Sequence, residues 1–374
     1  KEGLLLENGA EAEPLAARQR CRAARKYIES GSCLLEEEEM QLYKDADASL
    51  APLAGKTVAV LGYGNQGQAQ ALNLRDSGVA VLVGNRDDLY RERALADGFA
   101  VCSIAEAARA GDLLLVLTTD ESQPLIWAEQ ILPGVTAGKT VVWASGYNVG
   151  FGLIVPPPGV DVLMVAPRMI GVQVRELYVR GSGALAQVAV HQDASGQAWE
   201  RLLALCKGMG LTRGGVFRST FREEAELDLF AEQVIWAGLE AWFLECFELG
   251  VAHGFSPELM VMELYASGET AQIFANMAKN GFFRQMLHHS TTSQYGTLSR
   301  SAHLLPVALR DKAREILQGI HDGSFVGEWS SEQAGGAARL EALRAAALAH
   351  PMSQAEASVI AAVHAVHQEQ EGAR

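Results

Sequence analysis

The chain has 374 residues, of which 49% are hydrophobic, and this is enough to bury two moderate hydrophobic cores in a folded protein of two domains. Its 31 basic and 45 acidic residues leave a formal net charge of -14, which disfavours nucleic acid and anionic membranes as partners and favours a small-molecule substrate. No apolar run reaches the roughly 18 residues of a membrane span, and the five scattered cysteines favour a reducing compartment, either the cytoplasm or an organelle matrix or stroma.

Residues 1–50 are rich in Ala, Arg and Glu and carry an acidic run at 36–39, so we interpret them as an N-terminal extension that is partly helical. From residue 51 onwards, short runs of β-branched residues or leucine alternate with helical patterns. This alternation predicts a parallel sheet with helices on both faces. The predicted strands are Thr57–Leu61, 79–83, 113–117, Thr140–Trp143, 162–166 and 187–190.

A glycine-rich turn follows the first predicted strand directly, with the sequence Gly62-Tyr63-Gly64-Asn65-Gln66-Gly67. Glycines at these positions permit a tight turn, so that a pyrophosphate can lie on the amino terminus of the next helix, where free N–H groups attract anions. The strand before the motif and the helical pattern after it make the motif more specific. It predicts that residues 51–212 form a Rossmann domain that binds NADP or NAD through these six residues.

The second predicted strand ends at Gly84, where the adenosine ribose of a bound dinucleotide should lie. Arg86 could pair with the 2′-phosphate of NADP, whereas Asp87 or Asp88 could accept a ribose hydroxyl of NAD and repel that phosphate. These residues therefore do not decide between the two cofactors, and they slightly favour NADPH.

Strand patterns fade after residue 213, and helical patterns follow at 223–249, 257–279 and 307–320. They predict an all-helical domain over 213–350 and a C-terminal tail over 351–374. Asp228 and Glu232 are four residues apart in the first of these helices, so they share one face. Two neighbouring carboxylates with apolar and aromatic flanks suit Mg²⁺. The alternative is that both lie on a solvated stripe of the helix.

Several motifs together resemble the ketol-acid reductoisomerase family, or acetohydroxy acid isomeroreductases, in its shorter class. They are the glycine turn, Asp193 in Val190-His191-Gln192-Asp193, Phe221-Arg222-Glu223-Glu224, residues 228–233, Gln294-Tyr295-Gly296, and residues 320–325 with Glu328-Trp329. The resemblance implies an N-terminal Rossmann domain followed by a knotted helical domain. It also implies a homodimer whose active sites combine residues of both subunits.

The resemblance further implies an activity and the residues that perform it. In this family a two-magnesium centre drives migration of an alkyl group in an acetohydroxy acid, and NAD(P)H then reduces the resulting ketone, within branched-chain amino-acid synthesis. Asp228 and Glu232 match the metal ligands of the family. Glu263 matches a third family carboxylate, and Ser290 falls near the substrate-binding serine.

Four positions depart from the family pattern. Ser145 stands where the family has a histidine, and Arg168 stands where it has a lysine. Gln68 replaces a usual histidine, and Ser267 occupies the position one turn after Glu263 where a second carboxylate is expected. We assign Arg168 to catalysis as a fixed positive charge, and Ser145 to cofactor binding.

Three hypotheses about function follow. The first is an NAD(P)H-dependent oxidoreductase of this family that reduces a small keto acid or an imine and whose isomerase step is doubtful, because hydride transfer needs mainly cofactor placement and charge stabilisation. The second is a true ketol-acid reductoisomerase that tolerates the departures. The third is a catalytically inactive member that serves as a scaffold or as a subunit of a heteromeric complex.

Overall fold

The computed structural model describes residues 41–304 and 306–372, so most of the predicted extension over 1–50 lies outside the described residues. Nine strands within the described residues form one sheet, in the order β1-β9-β8-β7-β6-β5-β2-β3-β4. The strands are β1 (Leu42–Tyr43), β2 (Thr57–Leu61), β3 (Ala80–Gly84), β4 (Ala100–Cys102), β5 (Leu113–Val116), β6 (Thr140–Trp143), β7 (Asp161–Pro167), β8 (Ala186–Gln192) and β9 (Val216–Arg218).

Strands β2 to β7 run parallel, as the alternation of strands and helices predicts. β2 pairs with both β3 and β5, β4 continues from β3, and β6 and β7 continue from β5. The predicted parallel sheet is confirmed for these strands, and the sheet is mixed at one edge, where β8 is antiparallel to β7 and β1 is antiparallel to β9. A buried strand has the same apolar pattern in either direction, so the sequence does not encode the direction of β8.

Three strands escaped the sequence analysis because they are very short. β1 has two residues, and β4 and β9 have three each, which is too few to display an alternating pattern. The six predicted strands are all present, with bounds that differ from the predicted ones by two residues at most.

Helices cover both faces of the sheet, and β2 shows why. Its alternate side chains divide between two hydrophobic cores, with Val58 and Val60 in one and Ala59 and Leu61 in the other. Both faces must therefore be shielded from water, which the connecting helices achieve. These helices are α1 (Asn65–Asp76), α2 (Leu89–Ala96), α3 (Ile104–Ala110), α4 (Gln123–Ile126), α5 (Tyr147–Gly150), α6 (Gly171–Val179) and α7 (Ala198–Gly208).

The described residues after β9 form helices and the segments that connect them. Helices α8 (Phe221–Phe230) and α9 (Ala237–His253) are joined by a π-helical segment, Ala231–Trp236. α10 (Pro257–Val261) leads into a second π-helical segment, Met262–Ala266. The remaining helices are α11 (Glu269–Asn280), α12 (Thr291–Leu304), α13 (Val307–His321), α14 (Ser324–Ala334), α15 (Ala338–Leu348) and α16 (Pro351–Gly372).

The single helix predicted over 257–279 is divided in two. Gly268 adopts a φ of +82°, a left-handed conformation that side chains disfavour, and it precedes α11. The sequence signal for this break was one glycine within a helical pattern, which a helix can also tolerate. The prediction of an uninterrupted helix was therefore wrong at this glycine.

Contacts within the chain divide it into two compact units. Among the described residues, one unit is Ser267–Lys312, and the other comprises 41–266 and 313–372. The predicted domain boundaries at 212 and 350 follow changes in secondary structure and stay a prediction, as does the knot that the resemblance implies. No helix in the described part of the chain is long and apolar enough to cross a membrane.

Candidate active site

The glycine turn joins β2 to α1, and two of its three glycines lie where a Cβ atom would clash with the backbone. Gly62 has a φ of +102°, and a Cβ atom there would lie 2.9 Å from the backbone of Leu117 and Thr118. A Cβ atom on Gly67 would lie 2.0 Å from the carbonyl oxygen of Gly62. Gly64 precedes α1, and no described side chain caps this amino terminus. Its N–H groups can therefore bind an anion such as a pyrophosphate.

Side chains of the turn hold it in place. Tyr63 is completely buried, its N–H donates to Asn85 Oδ1 at 3.0 Å, and its hydroxyl donates to Asp97 Oδ2 at 2.9 Å. Gln66 Nε2 donates to the carbonyl oxygen of Met169 at 2.8 Å. Of the predicted cofactor-binding residues, Tyr63 thus supports the turn through its side chain and leaves only its backbone to face a ligand.

Asp88 already has several partners at the end of β3. It caps α2 by accepting from Tyr90 N, accepts from Asn85 Nδ2 at 2.8 Å, and accepts from Arg86 Nε at 2.6 Å. Arg86 and Asp87 are both largely exposed, with side-chain exposures of 82% and 103%. Asp87 is therefore better placed than Asp88 to meet a ribose, and the charge of Arg86 is partly neutralised.

A carboxylate cluster lies at the carboxyl ends of β5, β6 and β7, where helix α8 crosses them. Arg168 follows β7, and its Nη1 donates to Glu224 Oε1 at 2.9 Å while its Nη2 donates to Asp228 Oδ1. The second oxygen of Glu224 accepts from Gly146 N at 2.6 Å. The side chain of Glu224 is only 2% exposed. Three elements of the sheet edge therefore converge on α8.

The charges of the cluster are unbalanced. Burial raises the pKa of Glu224 to about 7, although the N–H of Gly146 and the charge of Arg168 oppose this shift. Burial also raises the pKa of Asp120 to about 6, and Glu121, Asp228 and Glu232 raise it further. The pKa of Glu232 is raised in the same way, by burial and then by Asp228. Several carboxylates thus share one guanidinium, and an additional cation would stabilise them.

A hydrated Mg²⁺ ion fits this donor set. Mg²⁺ binds through one or two carboxylates and keeps several waters, and Asp228 and Glu232 offer two carboxylates in a region short of positive charge. Among the described residues, no group of three or more His, Cys, Asp or Glu side chains is arranged to hold a metal ion. The structure therefore places Asp228 and Glu232 near each other and does not join Glu263 to the pair.

Three predicted site residues either lie outside the carboxylate cluster or accept a hydrogen bond from the backbone. Ser145 follows β6, and its Oγ accepts from Tyr147 N at 3.2 Å. Glu263 is exposed in the π-helical segment Met262–Ala266. Ser290 belongs to the unit Ser267–Lys312, where its Oγ accepts from Ser293 N at 3.2 Å at the start of α12. Within the chain, the structure therefore brings together Arg168, Asp228 and Glu232 of the predicted catalytic set.

Sequence analysis missed Asp120, Glu224 and Gly146 as site residues. Asp120 follows β5, so its signal was a carboxylate at the carboxyl end of a predicted strand. Glu224 lay inside a motif that carried the resemblance, but no role was assigned to it. A Cβ atom on Gly146 would lie 1.9 Å from the carbonyl oxygen of Phe221. This glycine permits the close approach of α8 that the Gly146–Glu224 bond requires.

Tyr147 and Asn148 line the cluster on the side of α5. Asn148 Nδ2 donates to the backbone oxygen of Asp120 at 3.0 Å and to Gln123 Oε1 at 3.0 Å. Burial and the charge of Asp120 raise the pKa of Tyr147 to about 12, and its hydroxyl has no hydrogen-bond partner among the described residues. A buried hydroxyl in this state is a candidate donor for a bound ligand.

The tail motif helps to hold α8. Arg222 Nε lies 2.5 Å from Glu226 Oε1, and His321 Nδ1 lies 3.1 Å from the same oxygen. The guanidinium of Arg222 also lies 4.1 Å from the ring centre of Phe151. These contacts join the first turns of α8 to the end of α13 and to α5, so they fix the helix that carries Glu224 and Asp228.

Comparison with known proteins gives matches over most of the chain. Residues 52–215 match the family described as acetohydroxy acid isomeroreductase, NADPH-binding domain, and residues 221–364 match the ketol-acid reductoisomerase C-terminal domain. The ketol-acid reductoisomerase (NADP(+)) of Pyrobaculum aerophilum is 43% identical over 316 residues, which cover 84% of this chain and 96% of that protein. That of Methanopyrus kandleri is 43% identical over 306 residues, with coverages of 81% and 92%.

A solved structure agrees with these matches. The NADH-preferring ketol-acid reductoisomerase from an uncultured archean superimposes with a TM-score of 0.82 and 36% sequence identity, covering 86% of this chain and 98% of that one. The likeness includes both the Rossmann domain and the helical region, since it extends over nearly the full length of that protein.

Proposed function

Because the chain belongs to the ketol-acid reductoisomerase family, we propose that it catalyses the full reaction of that family, which corresponds to the second hypothesis above. An alkyl group migrates in an acetohydroxy acid, and NADPH or NADH reduces the ketone that results. The observation that carries this proposal is the connection between the two parts of the site. The backbone of Gly62 in the cofactor turn lies so close to that of Thr118 that a Cβ atom on Gly62 would be 2.9 Å from it, and Asp120 follows two residues later in the carboxylate cluster.

The reductase without an isomerase step is the second candidate. It is favoured by Ser145, which cannot act as an imidazole base, and by Arg168, because a guanidinium is a poorer proton shuttle than the amine of lysine. The names of the relatives favour the full reaction. The inactive scaffold is disfavoured, because a scaffold has no need of a turn in which Gly62 and Gly67 both leave no room for a Cβ atom.

We assign Asp228 and Glu232 as magnesium ligands. When bound, Mg²⁺ polarises the oxygens of the acetohydroxy acid and stabilises the alkoxide charge. Glu224 is buried and has a pKa of about 7, so at neutral pH it can hold or release a proton within the site. Arg168 adds a permanent positive charge beside it. The first turn of α1 would bind the pyrophosphate of the dinucleotide.

A homodimer completes this proposal. Among the described residues of one chain, no third carboxylate joins Asp228 and Glu232 in a metal-binding group, and Glu263 and Ser290 are the candidates that a second copy would contribute. Helix α9 and the π-helical segment before it expose large apolar side chains, which a second copy would cover. They include Ile235, Trp236, Trp242, Leu244 and Leu249. Among the described residues, Cys102, Cys206 and Cys246 form no disulfide with one another, which supports a reducing compartment, either the cytoplasm or an organelle matrix or stroma.

The test uses two substrates with the purified protein, Mg²⁺ and NADPH or NADH. Acetolactate requires migration before reduction, whereas its rearranged 3-hydroxy-2-keto acid requires reduction only. Oxidation of the cofactor with both substrates supports the full reaction. Oxidation with the rearranged acid alone supports the reductase hypothesis, and oxidation with neither would contradict both.

A further inference from the structure

The two terminal nitrogens of the Arg168 guanidinium bond two different carboxylates. Nη1 donates to Glu224 Oε1 at 2.9 Å, and Nη2 donates to Asp228 Oδ1. We propose that Arg168 is a built-in competitor of the divalent cation: it holds Asp228 in the metal-free protein, and the cation binds at full strength only when this contact breaks. The inference rests on the proposed function, because it concerns the metal ligand Asp228. It goes beyond that function by giving the arginine a role in metal affinity.

The contact with Glu224 fixes the guanidinium in place. Glu224 is almost fully buried and accepts a second hydrogen bond from Gly146 N at 2.6 Å, so it cannot follow a moving side chain. Removing the guanidinium from this buried carboxylate would leave an unpaired charge, which is costly. Asp228 is the more exposed partner, at 39%. The arginine therefore releases Asp228 more easily than it releases Glu224.

Arginine suits this role for a geometric reason. Its planar guanidinium presents separate nitrogens in a rigid fork, so it can bond two carboxylates at the same time. Lysine carries the same charge on one nitrogen, so it cannot hold Glu224 and Asp228 in the same geometry. The Arg168→Lys substitution therefore removes the bridge between Glu224 and Asp228 but keeps the positive charge. It also leaves Asp228 more accessible to a cation.

Metal titration of the full-length protein without cofactor or substrate tests the inference. Mn²⁺ binding is followed by the electron paramagnetic resonance of the free ion, and Mg²⁺ binding by calorimetry. We expect R168K to bind both ions roughly 5- to 10-fold more tightly than the unsubstituted protein, which corresponds to about 1 kcal/mol. R168Q, which removes the charge as well, should bind more tightly still. Neither measurement depends on turnover.

A matched control is Arg175→Lys. Arg175 also bonds two side chains, Asn73 and Asp76, but it does so between α1 and α6. R175K should leave the metal affinity unchanged. Thermal unfolding serves as a second measurement of each variant: metal-free R168K should melt below the unsubstituted protein, and Mg²⁺ should raise its Tm by the larger amount.

Three results would overturn the inference. Weaker metal binding by R168K would mean that Arg168 orients Asp228 for the cation and does not compete with it. Equal binding would mean that only the charge of residue 168 matters, and it would leave the proposed metal site intact. Absence of binding in every variant would remove both the competition and the proposed metal site.

Discussion

At the scale of single residues, Asp87 is the side chain best placed to influence the choice between NADPH and NADH. It is fully exposed after β3, whereas Asp88 is committed to capping α2 and to Arg86. A carboxylate at this position repels a 2′-phosphate, although Arg91 Nε lies 3.9 Å from its Oδ1. We expect Asp87→Asn to raise the ratio of kcat/KM for NADPH to that for NADH several-fold.

Steady-state kinetics with the two cofactors measures this ratio. Glu92→Gln, on the exposed surface of α2, removes one negative charge a short distance away and serves as control. If both variants change the ratio equally, the effect comes from net charge and not from the position of Asp87.

Asp120 should make the metal-free protein less stable as the pH rises. Burial, followed by the charges of Glu121, Asp228 and Glu232, raises its pKa from 3.8 to about 6. Protonated Asp120 favours the folded state below about pH 4, and this contribution is lost as the pH rises through 6. We expect Asp120→Asn, which cannot ionise, to stabilise the metal-free protein at pH 8 by on the order of 2 kcal/mol.

Thermal unfolding at pH 5 and pH 8 in a chelator measures this effect. The gain in Tm from D120N should be larger at pH 8, and Mg²⁺ should reduce it because the cation supplies the missing positive charge. The exposed Asp87→Asn provides a control without burial. A gain that is the same at both pH values would contradict the assigned cause.

At the scale of elements, the approach of α8 to the turn after β6 depends on Gly146. A Cβ atom there would meet the carbonyl oxygen of Phe221 at 1.9 Å, and the hydrogen bond from Gly146 N to Glu224 would be displaced. We expect Gly146→Ala to lower kcat at least tenfold, about 1.4 kcal/mol, and to lower Tm. Activity assays and thermal unfolding measure the two effects.

Gly327→Ala on α14 is the matched substitution. A Cβ atom there meets no atom within 4 Å, and alanine is the better helix former. It should keep the activity and should not lower Tm. If G146A retained full activity, the contact between α8 and this turn would not position the site.

The strands and helices of the N-terminal part could be predicted from hydrophobic periodicity, because each buried strand is short, apolar and bounded by turn residues. The direction of β8 did not follow, since direction leaves no trace in a buried pattern. The site was predictable only in part. Asp228 and Glu232 stood out by their spacing, whereas Asp120 and Glu224 belong to different elements and their proximity depends on tertiary packing.

At the scale of the whole molecule, the apolar surface of α9 should be an interface between two copies. Trp242 lies on it with 39% of its surface exposed. We expect Trp242→Glu to shift the protein from dimer to monomer, because a buried carboxylate without a partner is costly. The activity should fall with the dimer if the site combines both subunits.

Light scattering after size-exclusion chromatography measures the mass, and the assay described above measures the activity. Leu132→Glu is the control, since Leu132 has a similar exposure of 37% but lies beside the sheet. A W242E variant that stays dimeric would place the interface elsewhere, and an active monomer would contradict a shared site.

The π-helical segments allow a change of chain length within a helix. A π turn holds one residue more than an α turn, and these segments contain Glu232 and Glu263. Because either turn completes about one revolution, deletion of one residue after Glu232 within Ala231–Trp236 would restore regular α-helical winding and would leave α9 nearly in its present orientation relative to α8. Its apolar surface would then still face the same side. Homologous sequences can therefore differ by one residue within this segment and keep the same surface on α9.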